Sequence, residues 1–450
     1  MAGGTWTAQN KVRPGIYINF KSGGSPVVTQ GVRGTVAIPK ALSWGPVGQV
    51  STINAGEDTK PYIGYALTDP KALFLREMFK GTNVTSGPTK ILLYRLPAQG
   101  ESPAAATIGS GEAGVTVTAL YPGVKGNDIA VAVAANVDEP DSFTVSTVVD
   151  GQIVDSQQVK TAAELNANGW VSFSGAGPLT ATVGVPLTGG ADGTVQPSAY
   201  ASALEALEPY SFDILAYDGT DSTIREAMIS FVKRLAEQEG RYCQLVTSGA
   251  QAPDSYFVIN TNDGVVLEDG TKLAPNETVW WLAGAEAGAQ YYQSLSCAVY
   301  PGAVDVAVQQ SNGQIEDGIR AGNIMLTLEF GQVQVETDIN TLTTYTQEIG
   351  KVFHKNITIR VCSALANDLY REFATNFRGK VKNNEDGRKL FKSAILSLLL
   401  AMYGKEALRE RPTSDDVSVE QGDDLDSMVA AAEFFVGDNV EKVYMTFTVS

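Results

Sequence analysis

The sequence predicts an α+β protein of several domains: an α/β core, an inserted β-sandwich, an α/β C-terminal domain, and extended strand arms at both ends. Three observations carry this prediction. Helical and strand periods alternate through residues 194–345, the βαβ rhythm of a partly parallel, helix-covered sheet. Residues 98–193 hold ten Asp/Glu, two Lys and no Arg, in short alternating segments cut by turn signals, as a sandwich requires. The first and last dozen residues alternate with a period of two and have no partner nearby in sequence. A length of 450 residues is compatible with roughly three domains, each able to bury a core.

Taken in order, residues 1–30 form an N-terminal arm. Val12 opens it, and Ile16, Ile18 and Phe20 then share one face with Tyr17 and Asn19 on the other. A Gly/Ser/Pro break at 21–26 ends the pattern. Residues 31–97 are the first part of the core: a strand at 35–38, a helix capped by Asp69 with Pro70 at its first position, and a strand at 90–96. The cap and the N1 proline are a helix-start signal. Residues 98–193 are the inserted sandwich, with strands at 115–118, 129–134, 143–149 and 170–174. The core resumes over 194–345 with helices at 199–207 and 222–239 and strands at 212–217 and 242–247. Ile324, Leu326, Leu328 and Phe330 then alternate into a hairpin that turns near Gly331 and returns through Val333 and Val335. Residues 346–439 carry helices at about 363–376 and 386–410. In the second, Leu390, Phe391, Ala394, Ile395, Leu398, Leu399 and Met402 make a stripe at helical spacing. Residues 440–450 are the C-terminal arm, where Val443, Met445, Phe447 and Val449 alternate with Tyr444, Thr446 and Thr448.

Chain ends fray unless something ties them down, and an unpaired apolar strand is an aggregation hazard. Two such ends point to strands donated to neighbouring subunits, assembly by β-augmentation. Pairing of both ends inside their own domain is the alternative, and the pattern leaves both open.

A net charge of −17 argues against nucleic acid or an anionic membrane as partner. Cys243, Cys297 and Cys362 are scattered and odd in number, which gives neither a disulfide framework nor a zinc site. No apolar run reaches the ~18 residues of a membrane span, and the N-terminus lacks a signal-peptide core. The expectation is a folded, soluble protein made in a reducing cytosol.

The motifs of catalysis are missing. There is no phosphate loop of the Gly-x-x-x-x-Gly-Lys-Ser/Thr type. The stretch from Gly109 to Gly114 spells G-x-G-x-x-G, but a strand pattern follows where a dinucleotide site needs a helix N-terminus. His354 is the single histidine, lies beside an expected strand, and has no nucleophile elbow to serve; it reads as structural. Asn260-Thr-Asn-Asp-Gly264 lacks EF-hand spacing and reads as a β-turn. Gly284 and Gly288 form a small-residue helix face in a segment too short and too polar, with Glu286, to be a membrane motif. No catalytic, cofactor or metal residue is assigned.

One cluster runs against the acidic background. Between Arg371 and Lys392 lie seven basic residues, among them Arg378, Lys380, Lys382, Arg388, Lys389 and Lys392, with three acids. It reads either as a solvated helix–loop–helix face or as a docking patch for an acidic protein surface.

The chain resembles a contractile phage tail sheath protein of the type found in Gram-positive phages, PBSX-like prophages and R-type bacteriocins. The resemblance rests on Val12-Arg-Pro-Gly-Ile-Tyr-Ile18, Tyr121-Pro-Gly-Val-Lys-Gly-Asn127, the 262–272 segment Asn-Asp-Gly-Val-Val-Leu-Glu-Asp-Gly-Thr-Lys, and the Ala283–Ala289 helix. It continues through Asp338-Ile-Asn-Thr-Leu-Thr-Thr344, Gly379-Lys-Val-Lys-Asn383 and Glu441-Lys-Val-Tyr-Met-Thr-Phe447. It implies a core of subtilisin-like topology, without proteolytic meaning here, and six-fold rings stacked helically around a tail tube. It also implies terminal strands lent to neighbours, an outward sandwich, and an inward C-terminal domain with the basic patch on the tube. Baseplate and tail terminator proteins would be further partners, no cofactor is needed, and assembly would occur in the host bacterial cytoplasm, ending in a virion tail or bacteriocin particle. Two rivals stay open: another self-assembling subunit, of tail tube or surface-layer type, and an α/β enzyme with an unrecognised site.

Overall fold

The structure is a computed structural model that describes residues 5, 9, 11–19, 33–109, 114–136, 139 and 141–449. It divides into two compact units, one of residues 1–38, 74–91 and 210–450, the other of residues 39–73 and 92–209.

The first unit is built on parallel strands in the order Asn323–Ile324, Val258–Thr261, Gln244–Ser248, Ile214–Ala216 and Thr35–Lys40. Val258–Thr261, Gln244–Ser248 and Ile214–Ala216 are buried along their whole length, as strands covered on both faces must be. The Ser222–Glu239 helix starts where the Asp221 carboxylate accepts from the Thr223 and Ile224 amides at 2.7 and 3.2 Å and stops at Gly240, φ +67°. That is a side-chain cap at one end and a left-handed glycine at the other.

The Pro275–Gly288 helix is buried from Thr278 onward. Its Trp281 stacks on Tyr300 at 4.0 Å, and the Tyr300 hydroxyl donates to the buried Glu77 carboxylate at 2.8 Å. Gly284 and Gly288 face the backbone of residues 78–87 so closely that a Cβ at either would overlap a carbonyl oxygen, of Met78 or of Ser86. The small-residue face is a site of close backbone packing.

Five expectations change in this unit. Ile324 leaves the hairpin and joins the parallel sheet beside Thr261; the hairpin itself is Leu326–Glu329 with Gln332–Val335. Residues 262–264 form no hairpin turn. They carry the chain from the parallel sheet to a separate antiparallel sheet containing Val265–Leu267, while the Asp263 carboxylate accepts from the Leu326 amide at 2.7 Å. The first C-terminal helix begins at Asn356 and runs to Glu372 before a π-helical turn at Phe373–Phe377. Its β-branched start, Ile357-Thr-Ile-Arg-Val361, resembles a strand, but residues 356–366 are all buried and packing on every side overrides that propensity. The second, Glu385–Tyr403, stops seven residues early, because Glu406 turns left-handed at φ +62°. Its core side is Phe391, Ile395, Leu398, Leu399 and Met402. Leu390 is 54% exposed, since one residue before Phe391 lies about 100° around the helix from it.

The second unit holds the sandwich. A three-stranded sheet, Val171–Ser174, Val115–Ala119 and Ala105–Ile108, faces a four-stranded one, Thr182–Pro186, Ile129–Ala135, Phe143–Val149 and Gln152–Val159. Val115, Val117 and Ala119 meet Ile129, Val131, Val133 and Val145 in one core. Trp44 completes it, 5.0 Å from Trp170 and 5.3 Å from Tyr121. Lys125, wholly buried, reaches Asp150 at 2.6 Å and Asp128 at 3.3 Å and lies over the Tyr65 ring at 4.5 Å. Ala98–Gln99 pairs antiparallel with Thr194–Val195, closing the neck of the insertion. Gly109 and Gly114 lie between two antiparallel strands; residues 110–113 of that motif lie outside the described residues.

Candidate assembly interface

Both arms lack a ladder partner in their own chain over the described residues 11–19 and 440–449. At the N-terminus Val12 is exposed and Ile16, Tyr17 and Ile18 are half-buried. Tyr242 donates its hydroxyl to the Ile18 carbonyl at 3.1 Å, and the Tyr17 hydroxyl bonds to the Arg13 carbonyl at 2.8 Å. The Tyr242 bond ties this segment to the body. Phe20 lies outside the described residues.

The C-terminal arm has a built root. The Glu441 carboxylate accepts from Lys355 Nζ, from Ser296 Oγ at 2.5 Å and from Thr337 Oγ1 at 3.3 Å. Asp438 lies 3.5 Å from the same ammonium. Burial alone would raise the Glu441 pKa; these donors outweigh it and hold the carboxyl below its ordinary value. Beyond that root, Val443, Tyr444, Met445, Phe447 and Val449 are all exposed.

The basic cluster spans a loop and the first turns of a helix. After the π-turn, residues 378–384 lead to the Glu385–Tyr403 helix, capped by the Asn384 side chain accepting from the Gly387 amide at 2.8 Å. Arg378, Lys380, Lys382 and Lys389 are exposed, and Arg388 and Lys392 half-buried. Lys389 pairs with Glu385 at 2.5 Å, while Arg388 donates to Asn383 and Gln421 at 3.1 and 2.9 Å. Phe391 packs edge-on against Phe377 at 4.9 Å beneath the loop.

Sequence reading passed over a buried ionic network in the same unit. Arg360 on the Asn356–Glu372 helix donates to Glu286 at 2.5 Å, to Asp338, and to the Gln293 carbonyl at 2.8 Å; all three charged side chains are fully buried. Asn356 adds bonds to Asp338 and Glu286 at 2.8 and 3.2 Å. The network ties the Pro275–Gly288 helix to the first C-terminal helix. Burial and the neighbouring Asp338 push the Glu286 pKa up to about 8, while Arg360 and hydrogen bonds hold Asp338 low against its burial. An acid and a base about seventy residues apart have no local period to betray them; the one available signal was Glu286 inside an otherwise apolar helix.

His354 bonds through Nδ1 to the Leu342 carbonyl at 2.6 Å, and burial lowers its pKa, so it stays neutral and structural. Among the described residues no group of three or more His, Cys, Asp or Glu is placed to hold a metal ion, and no helix is long and apolar enough to cross a membrane.

Comparison with known proteins identifies the framework. The phage tail sheath protein central domain matches residues 193–341, its beta-sandwich domain residues 99–192, and the phage tail sheath C-terminal domain residues 348–450. The N-terminal region of tail sheath protein Gp18 domain III matches residues 33–96. The phage-like element PBSX protein XkdK of Bacillus subtilis is 35% identical over 478 residues, covering both chains completely. The chain belongs to the phage tail sheath family. A sheath tail protein from Desulfitobacterium hafniense has the same fold at 39% identity and TM-score 0.84, covering 96% of this chain and 99% of that one. One from Listeria innocua follows at 31% and 0.77, covering 93% and 95%. This sheath protein is therefore a structural subunit of a contractile tail.

Proposed function

We propose that this chain is the repeating unit of six-fold rings, stacked helically around a tail tube, whose contraction drives the tube through a target cell envelope. The observation that carries the reading is the pair of arms, each tethered to its own body and each without a ladder partner there among the described residues. In a polymer of identical copies the partner is another copy, and a head-to-tail contact of this kind extends into a helix. The inter-subunit strands are Val12, Ile16, Tyr17, Ile18 and Phe20, and Val443, Tyr444, Met445, Phe447 and Val449. Their acceptor is the sheet of Val417–Gln421 and Met428–Ala432, which carries no third strand in this chain among the described residues.

The rest of the reading follows the domain division 1–30, 31–97, 98–193, 194–345, 346–439 and 440–450. The sandwich faces outward; the central parallel sheet has subtilisin-like topology; the C-terminal domain faces the tube through Arg378, Lys380, Lys382, Arg388, Lys389 and Lys392. Baseplate and tail terminator proteins bound the polymer, which assembles in the host bacterial cytoplasm. Assembly stores free energy in an extended state, so contraction consumes no nucleotide and the subunit has no catalytic duty.

The test is truncation. Removing residues 1–20, or 443–450, leaves a folded, soluble protein that no longer makes filaments by negative-stain microscopy. Wild-type tubes from either truncation overturn the reading.

A further inference from the structure

Phe330 stands at the tip of the Leu326–Val335 hairpin, fully exposed, with φ +49°, and Gly331 follows at +79°. A two-residue turn with both central residues at positive φ is the geometry for which Asn-Gly is the low-energy choice. A bulky aromatic residue at its first position carries backbone strain, and its ring lies in water. Two costs meet at one residue, and among the described residues its ring is left fully exposed.

The hairpin is made to hold that ring out. Leu326, Val333 and Val335 are buried at its base, while Leu328, opposite Val333, is 39% exposed, so the apolar face runs out of the core towards the tip. On the other side Thr327 donates to Glu336 at 3.0 Å and Gln334 to Glu329 at 3.0 Å, fastening the strands together. The root is bonded to the 297–300 segment: the Cys297 amide donates to the Val335 carbonyl at 2.8 Å, and the Tyr300 amide to the Val333 carbonyl at 2.8 Å. Ser296 and Thr337, which adjoin this root in sequence, are the residues that hold Glu441. Hairpin and C-terminal arm therefore leave the body from one bonded cluster.

We propose that this hairpin is a second docking element, with Phe330 and Leu328 seated in an adjacent copy of this chain beside the C-terminal arm. The occupant follows from that shared root and from membership of a family whose subunits polymerise with their own kind. Glu329 beside the tip and a chain charge of −17 disfavour an anionic membrane or nucleic acid. The proposal rests on the arm reading above, and its test separates the two.

The variant is Phe330→Asn, which supplies the residue the turn prefers. Tube-free sheath assembly is followed by light scattering and negative stain, alongside the 443–450 truncation. The expected result is a critical concentration raised at least tenfold, with a monomer melting point unchanged or higher by about 1–3 °C. Substitution of a residue that only serves folding lowers the melting point as it raises the critical concentration, so a melting point lowered by several degrees overturns the proposal. Wild-type assembly by Phe330→Asn, with the truncation inactive, overturns the knob and spares the arms; wild-type assembly by both overturns both. Normal tube-free assembly with lost decoration of tail tubes makes the tube the occupant, and that also overturns the proposal.

Discussion

Burial, and then the neighbouring Asp338 carboxylate, push up the pKa of Glu286. Its pKa, about 8 in the fold against an ordinary 4.5, means that the folded chain holds a proton the unfolded chain releases as pH rises. The stability from this group is complete below about pH 4.5 and is lost through about pH 8. Asp338 acts in the opposite direction, its contribution fading as pH falls below its ordinary 3.8. The expected outcome is a melting point that falls from pH 5 to pH 8.5 in wild type and falls less in Glu286→Gln, read by calorimetry. Glu286→Ala, which strips Arg360 of one partner, costs about 3–5 kcal/mol across the range. Gly284→Ala forces a methyl into the Met78 carbonyl, and its expected cost is about 3 kcal/mol by chemical denaturation, the upper end for overpacking.

The proposed tube-facing element is the Glu385–Tyr403 helix with the loop before it. Phe391, Ile395, Leu398 and Met402 anchor it from below, leaving Lys380, Lys382 and Lys389 in solvent. Lys380→Glu with Lys389→Glu is expected to leave tube-free polysheath intact and to weaken assembly on tubes several-fold in a co-sedimentation assay. Salt near 1 M, where screening shortens to about 3 Å, reproduces the defect in wild type. Decoration equal to wild type reduces the patch to a solvated face. In the C-terminal arm, Tyr444→Pro removes a backbone donor and is expected to abolish filaments while the melting point holds, because residue 444 is exposed in the free chain.

At the scale of the whole molecule the sandwich is an insertion with a defined neck. Ala98–Gln99 and Thr194–Val195 lie side by side, so a short Gly/Ser turn can replace residues 100–193 at little closure cost. Trp44, though distant in sequence, belongs to the sandwich core, and deletion bares it. The variant therefore includes Trp44→Ser, and it is expected to stay soluble and still form sheath under the microscope. Complete loss of assembly from a folded deletion variant counts against an outer, non-essential role for the insertion.

Local pattern was enough wherever one segment's own period, cap or turn decides its state. Amphipathic period marks Ser222–Glu239, alternation marks the strands at Val115–Ala119 and Phe143–Val149, and the alternating residues 443–449 have no ladder partner among the described residues. Tertiary structure decided what depends on distant neighbours. It made a helix of the β-branched run after Asn356, moved Ile324 into the parallel sheet, turned Leu390 outward, and brought Arg360 to Glu286 and Asp338. The physical reason is the range of the forces: capping bonds and hydrophobic period act within a few residues, whereas burial and ion pairing act through space between residues that the sequence keeps far apart.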